Sequence, residues 1–283
     1  MKKNCLFCLL LFFSCHSAFA DERLDSLLNV LDKTIKEADT YVQIKENKLH
    51  ELKREARKTA PLSIERYHLN NAIYLEYKAY SSDSALHYLN ENLLLARQLN
   101  DKERELKIQL ELSYLLSSIG MYMEAADILN SIDRQTLPTS LLGHYYTCYE
   151  HVYSEAGAAQ PRYKMFASRY VKLSHVYRDS MEVTLDSSSA TYLWLRETQL
   201  REAGKYDEAM EFSDRRLAEA SFGTPQYALV AYQRFRLFES MGKKDEHLYY
   251  LVLSAISDVR SAIKEQSSLM VLAQELHGKG DLK

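Results

Sequence analysis

Three side chains on one short stretch have the types and the spacing that chemistry would need. His144, Cys148 and His151 stand at i, i+4 and i+7, which puts two imidazoles and a thiol on one face of a helix. Such a stripe could offer three ligands to zinc. It lacks a clear fourth ligand and any group to orient the rings, so no metal is expected and the stripe reads as a mixed packing and groove face. Cys148 sits among Tyr145, Tyr146 and Tyr149 and reads as a small buried apolar residue. The chain holds no His-Glu-x-x-His, no glycine-rich phosphate loop after a strand and no Gly-x-Ser-x-Gly. No catalytic residue and no cofactor is expected, and the chain is not expected to be an enzyme.

The elements that carry this stripe announce themselves by repetition. Gly120-Met121-Tyr122-Met123-Glu124-Ala125 returns as Gly204-Lys205-Tyr206-Asp207-Glu208-Ala209. Each copy follows one apolar-periodic run and precedes another, so the glycine stands where a helix must stop in a left-handed conformation. The alanine five residues on lets the next helix approach closely. This spacing is the signature of tetratricopeptide repeats, and it predicts an all-α fold, a tetratricopeptide-like α-solenoid of antiparallel helix pairs. Only eight Gly and four Pro occur in 283 residues, few enough for long helices. Helices are expected near 63–80, 82–99, 101–119, 121–133, 139–156, 161–183, 188–203, 205–220, 225–241, 244–263 and 265–277. Joints are expected at about Ser81, Gly120, Gly157, Gly204, Gly242 and Gly280. Thr224-Pro225 supplies a capping hydroxyl and a proline at the first helical position. No stretch shows the sustained alternation of a strand.

Residues 21–60 read as an N-terminal helical pair and residues 61–283 as the repeat array, its last repeat incomplete after Leu269, Leu272, Ala273 and Leu276. An open last helix predicts self-association through the C-terminal segment. Along Tyr41 to Arg57 the charged residues crowd a solvated face. In such arrays the first helix of each pair lines the concave surface. Counting back from the joints gives candidate groove residues Asn70, Tyr74, Tyr114, His151, Trp194, Tyr232 and Arg236. Aromatic rings with polar tips offer large contact area and a hydrogen-bonding handle, which suits an extended peptide or a glycan.

Residues 1–20 have the form of a secretory signal peptide: Lys2 and Lys3, an apolar run from Leu6 to Phe13, and Ala18-Phe19-Ala20 before Asp21. The alternative, lipid anchoring at Cys15, requires a lipobox, and Phe12-Phe13-Ser14 is a poor one. No later segment is apolar enough to span a membrane. The formal charge is −3, and loss of Lys2 and Lys3 makes it −5, a sign that argues against nucleic acid as a partner. An exported, periplasmic chain is expected, with Cys148 as its lone cysteine once the leader is gone.

Tyr177-Arg178-Asp179-Ser180, the stretch from Leu253 to Glu265, Gly280-Asp281-Leu282 and Asp83-Ser84-Ala85 resemble a family of Bacteroidota-type tetratricopeptide regulators. The resemblance covers essentially all of the chain after the leader. It implies an exported helical sensor region, then a membrane helix and a cytoplasmic segment with a DNA-binding or signalling role; this sequence stops before such a helix. The expected function is a non-enzymatic module, the sensory or scaffold part of a regulator, that binds a protein or peptide. The alternative is a nutrient-binding protein of the outer membrane that holds glycans on a similar scaffold.

Overall fold

A computed structural model describes residues 23–264 and 267–279, and all of the regular structure there is helical. The expected leader with Cys15 and the expected joint at Gly280 lie outside the described residues. Residues 23–36 form α1. There follow α2 (Ala38–Lys58), α3 (Ile64–Tyr77), α4 (Ser82–Gln98), α5 (Lys102–Ser118), α6 (Tyr122–Ser131), α7 (Thr139–Ala158) and α8 (Lys164–Thr184). Then come α9 (Ala190–Glu202), α10 (Tyr206–Glu219), α11 (Pro225–Ser240), α12 (Lys244–Arg260) and α13 (Ser267–Lys279). The architecture is the expected all-α array of antiparallel helix pairs. No helix among the described residues is long and apolar enough to cross a membrane. The chain divides into two compact units, Glu46–Leu195 on one hand and the residues up to Lys45 with those from Arg196 onward on the other.

The joints end helices by one repeated geometry. Gly120, Gly204 and Gly242 have φ of +86°, +73° and +71°. Each hands the next residue's amide back to the carbonyl five residues earlier, as in Met121 N–H to Leu116 at 2.9 Å and Lys205 N–H to Leu200 at 2.9 Å. Asn100 (φ +54°) does the same with Asp101 and Ala96, so an asparagine supplies a joint that glycine counting passes over. Gly157 does not. It lies inside α7, where a Cβ would stand 3.4 Å from that of Tyr170. It is there to let α8 approach α7, and the joint expected at this residue is corrected accordingly. Thr224 caps α11 as expected, its hydroxyl accepting from the Tyr227 amide at 3.2 Å with Pro225 behind it.

Within the first unit α3 packs on α4, α4 on α5, α5 on α6 and α7, and α7 on α8. One core runs through it, from Leu106 and Leu110 through Leu129, Leu141 and Val152 to Met181 and Leu195. Ala125, fully buried on α6, accepts a bond at its carbonyl from Ser113 of α5 at 3.0 Å. The hairpins from α3–α4 to α11–α12, in both units, each carry such a buried polar tie. Asn92 donates to the Tyr67 carbonyl (3.0 Å) between α4 and α3, and Ser254 to the Ala228 carbonyl (2.8 Å) between α12 and α11. Arg178 of α8 pairs with Glu150 of α7 at 2.8 Å, and Arg216 of α10 with Glu197 of α9 at 2.5 Å. The charged face expected of α2 is only partly solvated. Lys48 pairs with Glu76, Lys53 donates to the Tyr77 hydroxyl at 2.6 Å, and the Tyr80 hydroxyl donates to Glu46, so part of that face docks against the end of α3.

The second unit holds α10 to α13 and α1. Leu24, Leu27, Leu28 and Leu31 of α1 join Phe235, Leu248, Leu251 and Val252 in one cluster that also contains Leu269, Leu272 and Leu276 of α13. Arg23 lies 3.8 Å over the Tyr249 ring. The apolar stripe of α13, expected to be an open end seeking a second copy, is thus packed within the chain. The reason is the leucine stripe of α1, whose destination nothing in its own spacing reveals.

Ala125 and Ala209 are fully buried, while Glu124 and Glu208 are exposed. Ala125→Leu and Ala209→Leu should each cost about 1–3 kcal/mol by overpacking, whereas Glu124→Ala and Glu208→Ala should stay within about 0.5 kcal/mol. Chemical denaturation of the four variants measures this, and equal small shifts at all four would refute the close approach. In the second unit, Leu31→Ala should destabilise by about 2–5 kcal/mol and raise amide exchange across residues 267–277. Unchanged protection there would mean that α1 does not hold α13.

Candidate functional site

The first helices of three successive hairpins, α3, α5 and α7, meet through a run of polar and aromatic side chains. Tyr74 of α3 is 1 % exposed, and its hydroxyl donates to Glu111 Oε2 of α5 at 2.7 Å. Lys78, at the C-terminus of α3, places its ammonium 3.6 Å from the same oxygen and 4.8 Å from the centroid of the Tyr114 ring. The other carboxylate oxygen of Glu111 stands 3.8 Å from His144 Nε2 of α7. One turn along α5 the Tyr114 ring lies flat on the His151 imidazole, with centroids 3.9 Å apart and planes at 10°. The second ring edge of that histidine meets the exposed Ser118 hydroxyl at 2.9 Å. A carboxylate and an ammonium are therefore framed by two tyrosines and two imidazoles, with Lys78, Glu111, His144 and His151 all partly open to solvent.

The protonation states follow from this packing. Burial pushes the Glu111 carboxyl upward, but Lys78, His144 and the Tyr74 hydrogen bond outweigh it and hold the group below its ordinary value, so it is ionised at neutral pH. Burial, with Lys78 adding to it, lowers His151 to about 4. His144 is lowered by burial as well, with Glu111 opposing. Both rings are neutral at pH 7, and each offers one donor and one acceptor. Burial raises the Tyr74 and Tyr114 hydroxyls, which stay protonated. The site can give and take hydrogen bonds, and it has flat rings to stack on.

The stripe of His144, Cys148 and His151 is resolved into three separate tasks. His144 faces Glu111, His151 stacks on Tyr114, and Cys148 is fully buried with its thiol directed at the Leu110 carbonyl, 3.3 Å away. Burial raises that thiol well above its usual range, which makes it inert. Among the described residues no group of three or more His, Cys, Asp or Glu side chains is placed to hold a metal.

Of the candidate groove residues, Tyr74, Tyr114 and His151 are brought together here. Asn70 is buried one turn before Tyr74. Trp194 is half-buried against the core of the same unit. Tyr232 belongs to the second unit, packed 5.4 Å from the Phe235 ring, and Arg236 there is exposed and paired with Glu239 at 2.8 Å. The counting passed over Glu111, Lys78 and Ser118. Glu111 stands three residues before Tyr114 and Lys78 four after Tyr74, so helical adjacency to the tyrosines was the signal that could have found them.

Helix pairs of this length, closed by left-handed joints, define a tetratricopeptide repeat array. Residues 35–283 match the model of the SusR N-terminal TPR domain, and the chain belongs to that family. It is a repeat module of the SusR type of regulator. No curated protein matches the chain.

The histidine geometry has a pH signature. The unfolded imidazole of residue 151 takes its proton near 6.5, the folded one near 4, so folding must expel that proton between those values. Stability should be whole above pH 6.5 and decline as the pH falls towards 4. His151→Phe keeps a ring on Tyr114 and should flatten this decline, leaving the smaller share of His144. An NMR titration that put His151 at 6.5 would contradict the stacked, shielded ring.

Proposed function

We propose that the chain is the periplasmic sensory module of a SusR-type regulator and that it binds a peptide or a segment of a partner protein along α3, α5 and α7. The observation that carries this reading is the Lys78–Glu111 pair set among Tyr74, Tyr114, His144 and His151. An extended peptide presents alternating carbonyls and amides. Neutral imidazoles, a serine hydroxyl, an ammonium and a carboxylate match both, while the Tyr114 and His151 rings give a platform for a side chain. First helices line the inner face of repeat arrays of this kind, which supports a ligand running along these groups. Family membership supports a regulator over an outer-membrane glycan carrier. The amino-terminal sequence supports export, and the mild acidity of the chain speaks against a nucleic acid here.

A photo-crosslinking amino acid placed at Ser118, beside His151, should trap an envelope peptide or protein in living cells. The same group at Val183, exposed on α8, should not. Lys78→Ala should reduce the adduct at residue 118 at least tenfold without lowering the melting temperature by more than a few degrees. Equal labelling from residues 118 and 183, or an adduct indifferent to Lys78→Ala, would sink the reading.

A further inference from the structure

The first unit also contains a partly open cavity on another side of α7. α6 has only ten residues, whereas α7 has 20 and α8 has 21. The ends of the longer pair overhang the start of the shorter helix, and no fourth helix fills the gap. The result is a cavity of about 290 Å³ between the N-terminus of α6, the C-terminal half of α7 and the N-terminus of α8.

Its walls include the side chains of Tyr122, Tyr153, Phe166 and Tyr170, with Ala126, Ala156 and Gln160 also lining it. No charged side chain lines it. The walls are also held in place. Tyr153 stacks on Tyr177 with centroids 5.7 Å apart and planes at 12°, and on Tyr170 at 6.2 Å and 26°. Tyr149 and Tyr177 continue the stack at 4.6 Å. Gly157 permits the tight contact of α7 with Tyr170 that sets the width of the cavity. A pocket whose rings are already stacked cannot simply collapse, and a ligand entering it loses little to reorganisation. The mouth is open, with Met123 76 % and Phe166 47 % exposed.

We propose that this cavity is a binding site for a free, neutral, apolar molecule of one or two fused rings carrying a single hydrogen-bonding group. The volume lies at the lower end of the range for small-molecule pockets, roughly 300–1,000 Å³, and so admits a ring system and not a chain. The lining carries no charged side chain, so a carboxylate or a hydrated ammonium brought in would lose water without an ion-pair partner. The Gln160 amide and the tyrosine hydroxyls offer the one polar contact. The site is independent of the α3–α5–α7 face: α7 turns His151 to that face and Val152 and Tyr153 to the cavity.

Indole and para-cresol are the probes, with benzoate and benzylamine as charged controls and N-acetyl-tryptophanamide as a peptide-like one, each titrated into the full chain by calorimetry and by saturation-transfer NMR. Indole or para-cresol should bind, and the two charged rings should bind at least tenfold more weakly. Ala126→Phe fills the cavity and should abolish binding with an unchanged circular dichroism spectrum. If that variant fails to fold, Phe166→Ala, at an exposed position, should weaken binding at least tenfold. The proposal is overturned if neither neutral probe binds, if charged and neutral rings bind alike, or if neither variant changes the affinity. Binding of N-acetyl-tryptophanamide alone would also overturn it, in favour of a surface that docks a peptide side chain.

Discussion

A buried polar contact ties the two helices of each hairpin from α3–α4 to α11–α12, and the register of those hairpins rests on these ties. Apolar faces alone would let one helix slide on another by a turn at modest cost. A slip at α7 and α8 would leave Glu150 or Arg178 buried without its partner, and losing one partner of a buried ion pair costs about 3–5 kcal/mol. The pair of Glu197 and Arg216, repeated in the next hairpin, imposes the same condition. Where the tie is a serine or an asparagine to a carbonyl, as at Ser113, Asn92 and Ser254, it works more weakly by the same logic. Register in turn decides which side chains of α3, α5 and α7 come level, and hence whether Glu111 can meet both Tyr74 and His144.

The proposed recognition face is neither a salt bridge nor an apolar groove. Lys78 and Glu111 stand 3.6 Å apart and partly solvated, so their mutual attraction is modest. They serve better as charges held ready, the carboxylate already accepting from Tyr74 and the ammonium lying over Tyr114. The neutral state of His144 and His151 belongs to the same design, because a second and third positive charge beside Lys78 would repel one another.

Much of this was legible beforehand, and the exceptions have physical causes. Helix positions followed from periodicity, and the stops at Gly120, Gly204 and Gly242 from the need for positive φ. Gly157 misled because a glycine kept for close approach and one kept for a left-handed turn look identical in a sequence; only the partner, Tyr170, tells them apart. Asn100 was missed for the converse reason, since it takes the left-handed conformation without being glycine. Glu197 is buried despite its charge, and Arg216 explains how. Of the site, the aromatic residues were found by counting from the joints. Lys78 and Glu111 were not, because their importance comes from contacts between hairpins, which spacing within one hairpin does not encode. The packing of the leucine stripe of α1 was not legible either, because a stripe names no partner.

The packing of α1 has a consequence for how the protein comes into being. In an ordinary repeat array each hairpin touches only its neighbours, so folding can advance along the chain as it is made. Here Leu31 is sequestered by residues from 235 to 272, some two hundred positions later. A chain synthesised from its amino terminus must carry that leucine stripe uncovered until the last hairpins arrive. Closing so long a loop is entropically expensive and raises the contact order of an otherwise local fold. The final folding step is therefore long-range, and the interval before it is when the nascent protein is most exposed to aggregation.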